Sequence, residues 1–508
     1  MSPRRAAVAA GVAILLGAAP AWAHGFGQRY DLPVPLWLWV AGAAAAVALS
    51  FVVTGLVSTA PPGPARYPTV NLLRWRLGRA LVHPWLWHLA RALAIAALLL
   101  VVIAGALGSQ NPNRNLAPTA VWVLWWVGVA YLSALVGDVW AIVNPWAALF
   151  AATEPAPEAG NDRAPAWLGA WPAVVLFLAF AWIELVWPGR AEPAQLALLT
   201  LGYTLVAGAG MVALGRSRWL RRGDPFAVAF STLARFAPTE LRVRDRAICA
   251  TCPARCASEA GCVNCVACFT RAPDEARALN LRPFGAGLLD GGGVSTSMVA
   301  FVLVLLSSVT FDGFTATPAW ATIESAAYAA LPPLGGQRLA VIGTLGLLGF
   351  ALLFALLYAA FARWMARAGG QPASGTAVAR AFVVSLIPIA VAYHLAHYLT
   401  YLLVQGQRII PLASDPLGLG WDLLGTAGYV PDIGIVGARF AWYTAVIAIV
   451  SGHIAAVFVA HAIALRQFGS RQRALRSQYA MLLLMVGYTV ASLWIIAQPI
   501  VESSPAGS

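Results

Sequence analysis

Long, unbroken runs of apolar residues recur along the whole chain, separated by polar segments. Each run covers about 20 residues, the length that an α-helix needs to cross about 30 Å of hydrocarbon. The runs do not alternate between apolar and polar positions, so strands are not expected. The pattern predicts ten spans, near 35–57, 85–107, 117–137, 168–188, 194–215, 297–316, 339–362, 381–404, 439–464 and 478–500.

Composition agrees with this pattern. Of the 508 residues, 60% are hydrophobic and only 10% are charged, which is too little charge to cover a soluble domain of this length. The predicted fold class is therefore all-α: a polytopic transmembrane helix bundle of about ten spans in a lipid bilayer, after a cleaved signal peptide. The predicted divisions are a signal peptide at 1–23, a first membrane half at 24–215, a Cys-rich metal-binding loop at 216–296, a second membrane half at 297–500 and a tail at 501–508.

The first residues have the features of a secretory signal. Arg4 and Arg5 precede an apolar stretch, and the stretch 21–23 (Ala-Trp-Ala) offers the small residues that signal peptidase accepts. Cleavage there makes His24 the first residue of the mature chain. The amine and imidazole of a terminal histidine can chelate copper together; the alternative is an ordinary polar terminus.

The arginines indicate the orientation, because cytoplasmic loops carry an excess of basic residues. With the mature N-terminus outside, the inner loops hold a dozen arginines between 216 and 282, together with Arg66, Arg74, Arg76, Arg79, Arg163, Arg363, Arg367, Arg380, Arg466, Arg471, Arg473 and Arg476. The outer segments hold only Arg29, Arg114, Arg190, Arg338, Arg408 and Arg439. We expect a multi-pass inner-membrane protein with both mature ends in the periplasm and the Cys-rich loop in the cytoplasm. The net charge of +13 is then a topology signal, and a nucleic-acid partner is not expected.

All the cysteines lie within one inner loop, at Cys249, Cys252, Cys256, Cys262, Cys265 and Cys268. Disulfides rarely persist in the cytoplasm, so this spacing, CxxCxxxC followed by CxxCxxC, indicates metal ligation. Two such knuckles can close a tetrahedral zinc site, and four thiolates equally suit an iron–sulfur cluster. The sequence leaves zinc and iron–sulfur open, with unligated thiols as a third interpretation.

Ionisable side chains inside spans are costly to bury and are therefore candidates for function. His394 and His397 share one face of the eighth span, and His453 lies on the ninth. We expect these three histidines to hold a divalent metal, with zinc as the first candidate. Asp312 in the sixth span or His461 in the ninth would complete the site and leave one position open for water or substrate.

Metal-bound water becomes a nucleophile at neutral pH, so this interpretation makes Asp312, His394, His397 and His453 catalytic residues and His461 a further metal ligand. Two alternatives use the same histidines differently. They would hydrogen-bond between helices, or they would relay protons.

Several motifs run through the mature chain: AHGFGQRYDLPVPLWL at 23–38, GDVWAIVNPW at 137–146, CVNCVACF at 262–269, LRPFGAGLL at 281–289, TFDGFTATPAW at 310–320, YHLAHY at 393–398, SDPLGLGWDLLGTA at 414–427 and the GH…AH pair of the ninth span. Together they resemble a bacterial multi-spanning membrane family known as fenitrothion hydrolase, an organophosphorus hydrolase. The resemblance implies hydrolysis of a P–O bond in an organophosphorus triester, with release of a nitrophenol. It implies no set of catalytic residues.

Such a substrate is a hydrophobic small molecule that would enter the bilayer and reach an intramembrane site laterally. A second hypothesis is a redox or metal-handling membrane protein, in which the cysteine cluster exchanges electrons or metal with the intramembrane histidines. A third is a transporter for a small solute, based only on the buried ionisable residues. The sequence does not specify a partner subunit.

Overall fold

A computed structural model of the chain describes residues 30–57, 67–151, 166–252, 256, 261–289, 294–332, 337–370, 375–498 and 501–502. The predicted signal peptide, His24 and residues 503–508 of the predicted tail lie outside the described residues. The all-α prediction is confirmed, because nine helices in the described part of the chain are long and apolar enough to cross a membrane. The chain is a multi-pass membrane protein.

The helices follow the predicted spans closely. In chain order they are α1 (Leu36–Val57), α2 (Arg76–Leu81), α3 (Pro84–Leu107), α4 (Leu116–Leu135), α5 (Trp140–Val143), α6 (Pro145–Leu149), α7 (Trp171–Leu185), α8 (Pro193–Leu214), α9 (Arg216–Arg222), α10 (Pro225–Ala234), α11 (Arg246–Ala250), α12 (Val266–Arg271), α13 (Thr296–Thr315), α14 (Pro318–Ala330), α15 (Arg338–Ala368), α16 (Gly375–Phe382), α17 (Ile387–Gln405), α18 (Ile409–Ser414), α19 (Ala438–Phe468) and α20 (Arg471–Ala497). The middle of α4, Thr119–Gly128, is a π-helix. Short 3₁₀ turns lie at Leu72–Arg74, Ala166–Leu168, Pro188–Ala191, Asp274–Ala276, Ala286–Leu288, Val383–Leu386, Gly406–Arg408 and Ile433–Ile435.

The fourth predicted span, near 168–188, is the short helix α7. Its 15 residues rise about 22 Å, less than the hydrocarbon thickness of about 30 Å. Ala170 directly precedes α7, and its backbone N–H donates to Oγ of Ser297 (2.7 Å). Ser297 lies in the first turn of α13. Just beyond the end of α7, Val186 packs in one apolar cluster with Ile342, near the start of α15. Helix α7 therefore runs from one end of the bundle to the other.

A two-stranded pairing shows that the number of crossings is even. Strand β1 (Tyr30–Asp31), before α1, pairs in parallel with β6 (Val501–Glu502), after α20. The two strands consequently lie at the same end of the bundle. An even number of crossings has to connect them, and among the described residues the nine long spans together with α7 make ten.

A small module at the opposite end contains all six cysteines. Strands β2 (Val70–Asn71), β3 (Thr239–Val243), β4 (Cys262–Val263) and β5 (Arg277–Leu281) form an antiparallel sheet in the order β2-β5-β3-β4. We call these four strands, with α11, α12 and Cys252, Cys256 and Cys265 between them, the cysteine module. The predicted loop at 216–296 supplies most of it, whereas β2 comes from the segment between α1 and α3.

Helix α10 is a short apolar helix inside the bundle. Its first turn is capped by Asp224, whose Oδ1 accepts from the backbone N–H groups of Phe226 (2.9 Å) and Ala227 (3.0 Å). Eight of its ten residues are buried, and it packs against α4, α7 and α17. Ten residues are too few to cross a bilayer, and the chain leads from α10 directly into β3 of the cysteine module.

Gly452 allows α19 to approach α17 closely. A Cβ at this position would collide with the side chain of Ala392 and lie 2.8 Å from the carbonyl oxygen of Pro388. We expect Gly452→Ala to destabilise the bundle by about 1–3 kcal/mol, measured as a lower midpoint of thermal aggregation in detergent. Gly487→Ala on α20 is the control, because a Cβ there meets nothing within 4 Å. Equal midpoints for the two variants would contradict this packing.

Candidate functional site

A carboxylate, an imidazole and a phenol form one hydrogen-bonded network inside the bundle. Oδ2 of Asp312, near the end of α13, accepts from the hydroxyl of Tyr398 (2.6 Å) and is paired with Nε2 of His397 (2.9 Å). When Asp312 is ionised its carboxylate can only accept, and the proton of this bond then lies on Nε2 of His397. The side chain of Asp312 keeps 23% of its surface accessible, against 9% for His397. The network is therefore buried on the α17 side and partly open around the carboxylate.

A small cavity adjoins this network. Glu184 on α7, His394 on α17 and Tyr398 line it, together with Trp126 from the π-helical part of α4 and Ser308 from α13. Its interior measures about 20 Å³, which is enough for one water molecule and no larger ligand. The remaining walls are apolar, so a polar guest in this cavity would have to bind these few side chains.

His394 is a polar group of the cavity wall with unused hydrogen-bonding capacity. Its Nε2 is buried and has no hydrogen-bond partner from the protein. Buried polar atoms are normally paired with protein or with ordered water. The backbone around His394 is held in place, because the hydroxyl of Tyr131 contacts the carbonyl oxygens of His394 (3.2 Å) and Leu395 (3.0 Å). The imidazole is thus a fixed acceptor or donor for a molecule in the cavity.

The structure does not bring all the predicted metal ligands together. His453 is fully buried and its Nδ1 donates to the carbonyl oxygen of Ile449 (2.8 Å). Two tyrosine rings lie between His453 and His397: Tyr488 is beside His453, and Tyr393 is beside both Tyr488 and His397.

His461 is also fully buried, and lies two turns farther towards the cysteine module on α19. In the described part of the chain, His, Cys, Asp or Glu donor atoms gather in groups of three or more only in the cysteine module. An intramembrane metal held by histidines therefore stays a prediction.

The second cysteine knuckle is a tight turn fixed to the sheet. Gly261 and Asn264 both adopt positive φ (90° and 52°) on either side of β4. Asn264 bonds twice to Leu241 on β3: its backbone N–H donates to the carbonyl oxygen of Leu241 (2.7 Å), and its Oδ1 accepts from the N–H of Leu241 (3.0 Å). An asparagine is one of the few residues other than glycine that tolerate this left-handed conformation. The turn presents Cys262 and Cys265 on the same side as the first knuckle.

The sulfur atoms converge into one cluster. The Sγ atoms of Cys252 and Cys265 are 3.7 Å apart, and those of Cys256 and Cys268 are 3.4 Å apart. Two groups of four thiols each have all their sulfur atoms within 4.8 Å of one another. Two thiolates on one tetrahedral zinc lie about 3.8 Å apart, given a Zn–S bond of about 2.3 Å. The cysteine cluster can therefore hold a metal ion, as its spacing predicted.

Positive charge surrounds this cluster. Nη2 of Arg271 lies 3.9 Å from Sγ of Cys268, and Arg221 is within electrostatic range of Cys265, Cys252 and Cys256. Hydrogen bonds from neighbouring thiols lower the pKa of Cys265 below its usual value. A lowered pKa favours the thiolate, which is the form of cysteine that binds a metal.

A buried carboxylate holds the strands of the cysteine module together. Glu240 on β3 accepts hydrogen bonds from Arg282 (2.7 Å), Arg242 (2.8 Å), Asn280 (2.9 Å) and Tyr67 (3.0 Å). Burial alone would raise the pKa of Glu240, but the bonds from Asn280 and Arg242 and the charges of both arginines lower it overall. The carboxylate therefore stays ionised at neutral and mildly acidic pH, and its contribution to stability is lost only as pH falls through that lowered pKa.

In comparisons with known proteins, no family model, no curated protein and no solved structure matches the chain.

Proposed function

We propose that the chain is a membrane-embedded hydrolase that cleaves a P–O bond of a lipophilic organophosphorus triester such as fenitrothion. The observation that carries the proposal is the water-sized cavity between Glu184, His394 and Tyr398, beside the paired Asp312 and His397. A fixed base next to a confined water is what general-base catalysis requires. The sequence resemblance supplies the substrate class.

In this proposal, the water in the cavity attacks phosphorus and the P–O bond to the nitrophenyl group breaks. The proton of the water passes to Nε2 of His394 and then to solvent, while the nitrophenol leaves as its anion from the opposite side of phosphorus and is protonated in solution. The products are the phosphoric or thiophosphoric diester and a nitrophenol. Burial and the neighbouring His397 disfavour an imidazolium at His394, and Asp312 is the nearby charge that acts in the opposite direction. In this proposal the negative charge of Asp312 is what stabilises the imidazolium that forms. His397 and Tyr398 hold the carboxylate in position.

The substrate would reach this site from the lipid. The cavity has room for a water molecule but not for a triester, so the triester has to approach the site from outside the cavity. Asp312 is the partly accessible member of the network, and it marks the side from which a lipophilic molecule could reach the cavity. The arginine distribution supports placing the cysteine module on the cytoplasmic side of an inner membrane. The Asp312 network then lies towards the periplasmic side.

The first test is nitrophenol release from fenitrothion. Membranes that contain the full chain should release the nitrophenol faster than membranes from cells with an empty vector, measured by absorbance at alkaline pH. The His394→Gln variant should fall to the empty-vector rate, because glutamine cannot take up the proton. Well-expressed, metal-replete chain without activity would contradict the proposal.

A metal-assisted version of this proposal places zinc on His394, His397 and His453. The two versions predict different roles for His453, which is separated from the network by the rings of Tyr393 and Tyr488. In the metal-free version, His453→Gln retains the rate of the folded protein; in the metal-assisted version, it loses activity and zinc together. Assaying activity and metal content of the same sample distinguishes the two.

The six-thiol cluster favours a second candidate function, a redox or metal-handling protein. Its readout is spectroscopic: a visible absorbance band and a paramagnetic signal in the purified chain would indicate a redox-active cluster. Colourless, zinc-loaded protein would leave the cluster with a structural role. This second candidate leads if fenitrothion is not hydrolysed.

A further inference from the structure

The six thiols form two overlapping groups of four. One group is Cys249, Cys256, Cys262 and Cys268; the other is Cys252, Cys256, Cys265 and Cys268. Both groups contain Cys256 and Cys268, whose sulfur atoms are only 3.4 Å apart. Each group also has two thiols of its own. A single tetrahedral ion cannot use six thiolates, whereas two ions that share the middle pair use every one.

The arrangement repeats between the two knuckles. In each knuckle the first cysteine belongs to one group, the second belongs to the other group, and the third belongs to both. The first knuckle begins inside α11, which follows β3, and the second comprises β4 and the start of α12. Each ion would therefore bind both knuckles, so that the two halves of the cysteine module are joined twice.

From this geometry we propose that the module holds a binuclear zinc centre, Zn₂Cys₆, in which Cys256 and Cys268 bridge the two ions. All sulfur atoms in a group lie within 4.8 Å of one another, as expected for thiolates that share one ion. An iron–sulfur cluster places sulfide ions and several irons between its cysteines, which sets thiolates of different irons farther apart. Four thiolates per ion also close each site, the arrangement of a structural centre.

The charges around the cluster fit this composition. Two divalent ions and six thiolates carry a net charge of about −2. Arg271, beside Cys268, and Arg221, within range of three other thiols, lie where they offset it. Binding releases the protons of the thiols to solvent, and no oxidant or reductant takes part. The centre is independent of the proposed hydrolase activity.

The test is the metal content of the full chain, purified in detergent from zinc-supplied cells. We expect two zinc ions per chain and no acid-labile sulfide by elemental and colorimetric analysis. Cadmium exchanged into the protein should give two ¹¹³Cd resonances that are coupled to each other through the shared thiolates. One zinc per chain, iron with sulfide, no metal, or two uncoupled resonances would each overturn the proposal.

Matched variants separate bridging from terminal thiols. Cys249→Ser removes a terminal ligand of one ion and should leave one zinc per chain, as should Cys252→Ser for the other ion. Cys256→Ser removes a ligand from both ions and should lose both. If Cys256→Ser retains as much zinc as Cys249→Ser, the bridge is wrong. The stoichiometry and the cadmium coupling of the unaltered chain decide the matter even if a variant fails to fold.

Discussion

Replacing Asp312 by asparagine should reduce the turnover of fenitrothion by at least about 100-fold, the usual scale of general acid–base catalysis. Asparagine has nearly the same shape and can keep a bond to the hydroxyl of Tyr398. It carries no negative charge, so the imidazolium that forms at His394 loses its stabilising partner. The rate of nitrophenol release at saturating substrate, per amount of chain, measures the effect.

Asp432→Asn is the matched control for this variant. Asp432 is exposed in the loop before α19, and its Oδ1 accepts from the backbone N–H of Gly434 (2.8 Å). Asparagine preserves that bond, so this variant should keep the rate of the unaltered chain. If Asp312→Asn hydrolyses fenitrothion as fast as Asp432→Asn does, the network is not the site of the reaction.

The second large effect is expected at Glu240, outside the membrane. Glu240→Ala leaves Arg282 buried without its carboxylate partner. In the unaltered chain the exposed fraction is 1% for Glu240 and 4% for Arg282. Breaking one side of a buried ion pair typically costs about 3–5 kcal/mol. We expect the cysteine module to become sensitive to proteases and to release its metal at a lower urea concentration than the unaltered chain.

The exposed ion pair between Asp274 and Arg277 offers the comparison. The side chain of Asp274 is 83% accessible, and ion pairs of this kind contribute less than about 1 kcal/mol. Asp274→Ala should therefore leave the urea midpoint of metal release almost unchanged. Similar midpoints for Glu240→Ala and Asp274→Ala would show that Glu240 does not hold the module together.

The spans and the cysteine cluster could be predicted from sequence because both depend on local patterns. Apolar runs of sufficient length determine the spans, and the knuckle spacing brings Cys262 and Cys265 together whatever the rest of the fold does. Helix α10 was missed because its apolar run of ten residues is too short to predict a membrane span. Strand β2 was missed because two residues carry no alternation, and its partner lies about 210 residues away in sequence.

The intramembrane network shows where sequence reasoning stops. That His394 and His397 share a helix follows from their spacing, but the rotation of α19 about its axis does not. This rotation turns His453 towards Tyr488 of α20. Asp312 was chosen as an acid within a span, and it does meet His397. The contributions of Tyr398 and Glu184 depend on how α7, α13 and α17 pack, although the π-helix beside them is a type of irregularity often found at functional sites.

Helix α7 is about 8 Å shorter than an ordinary hydrocarbon layer, and part of its surface faces outward, with Val175 at 64% accessibility. Lipids that contact a short helix adapt by local thinning. Glu184 is the penultimate residue of α7, and Trp187 and Arg190 follow it, residue types that anchor at headgroups. We therefore expect the headgroup layer beside α7 to lie closer to the level of the cavity. A solute concentrated among the headgroups would meet the carboxylates at shallow depth, without first crossing to the middle of the bilayer.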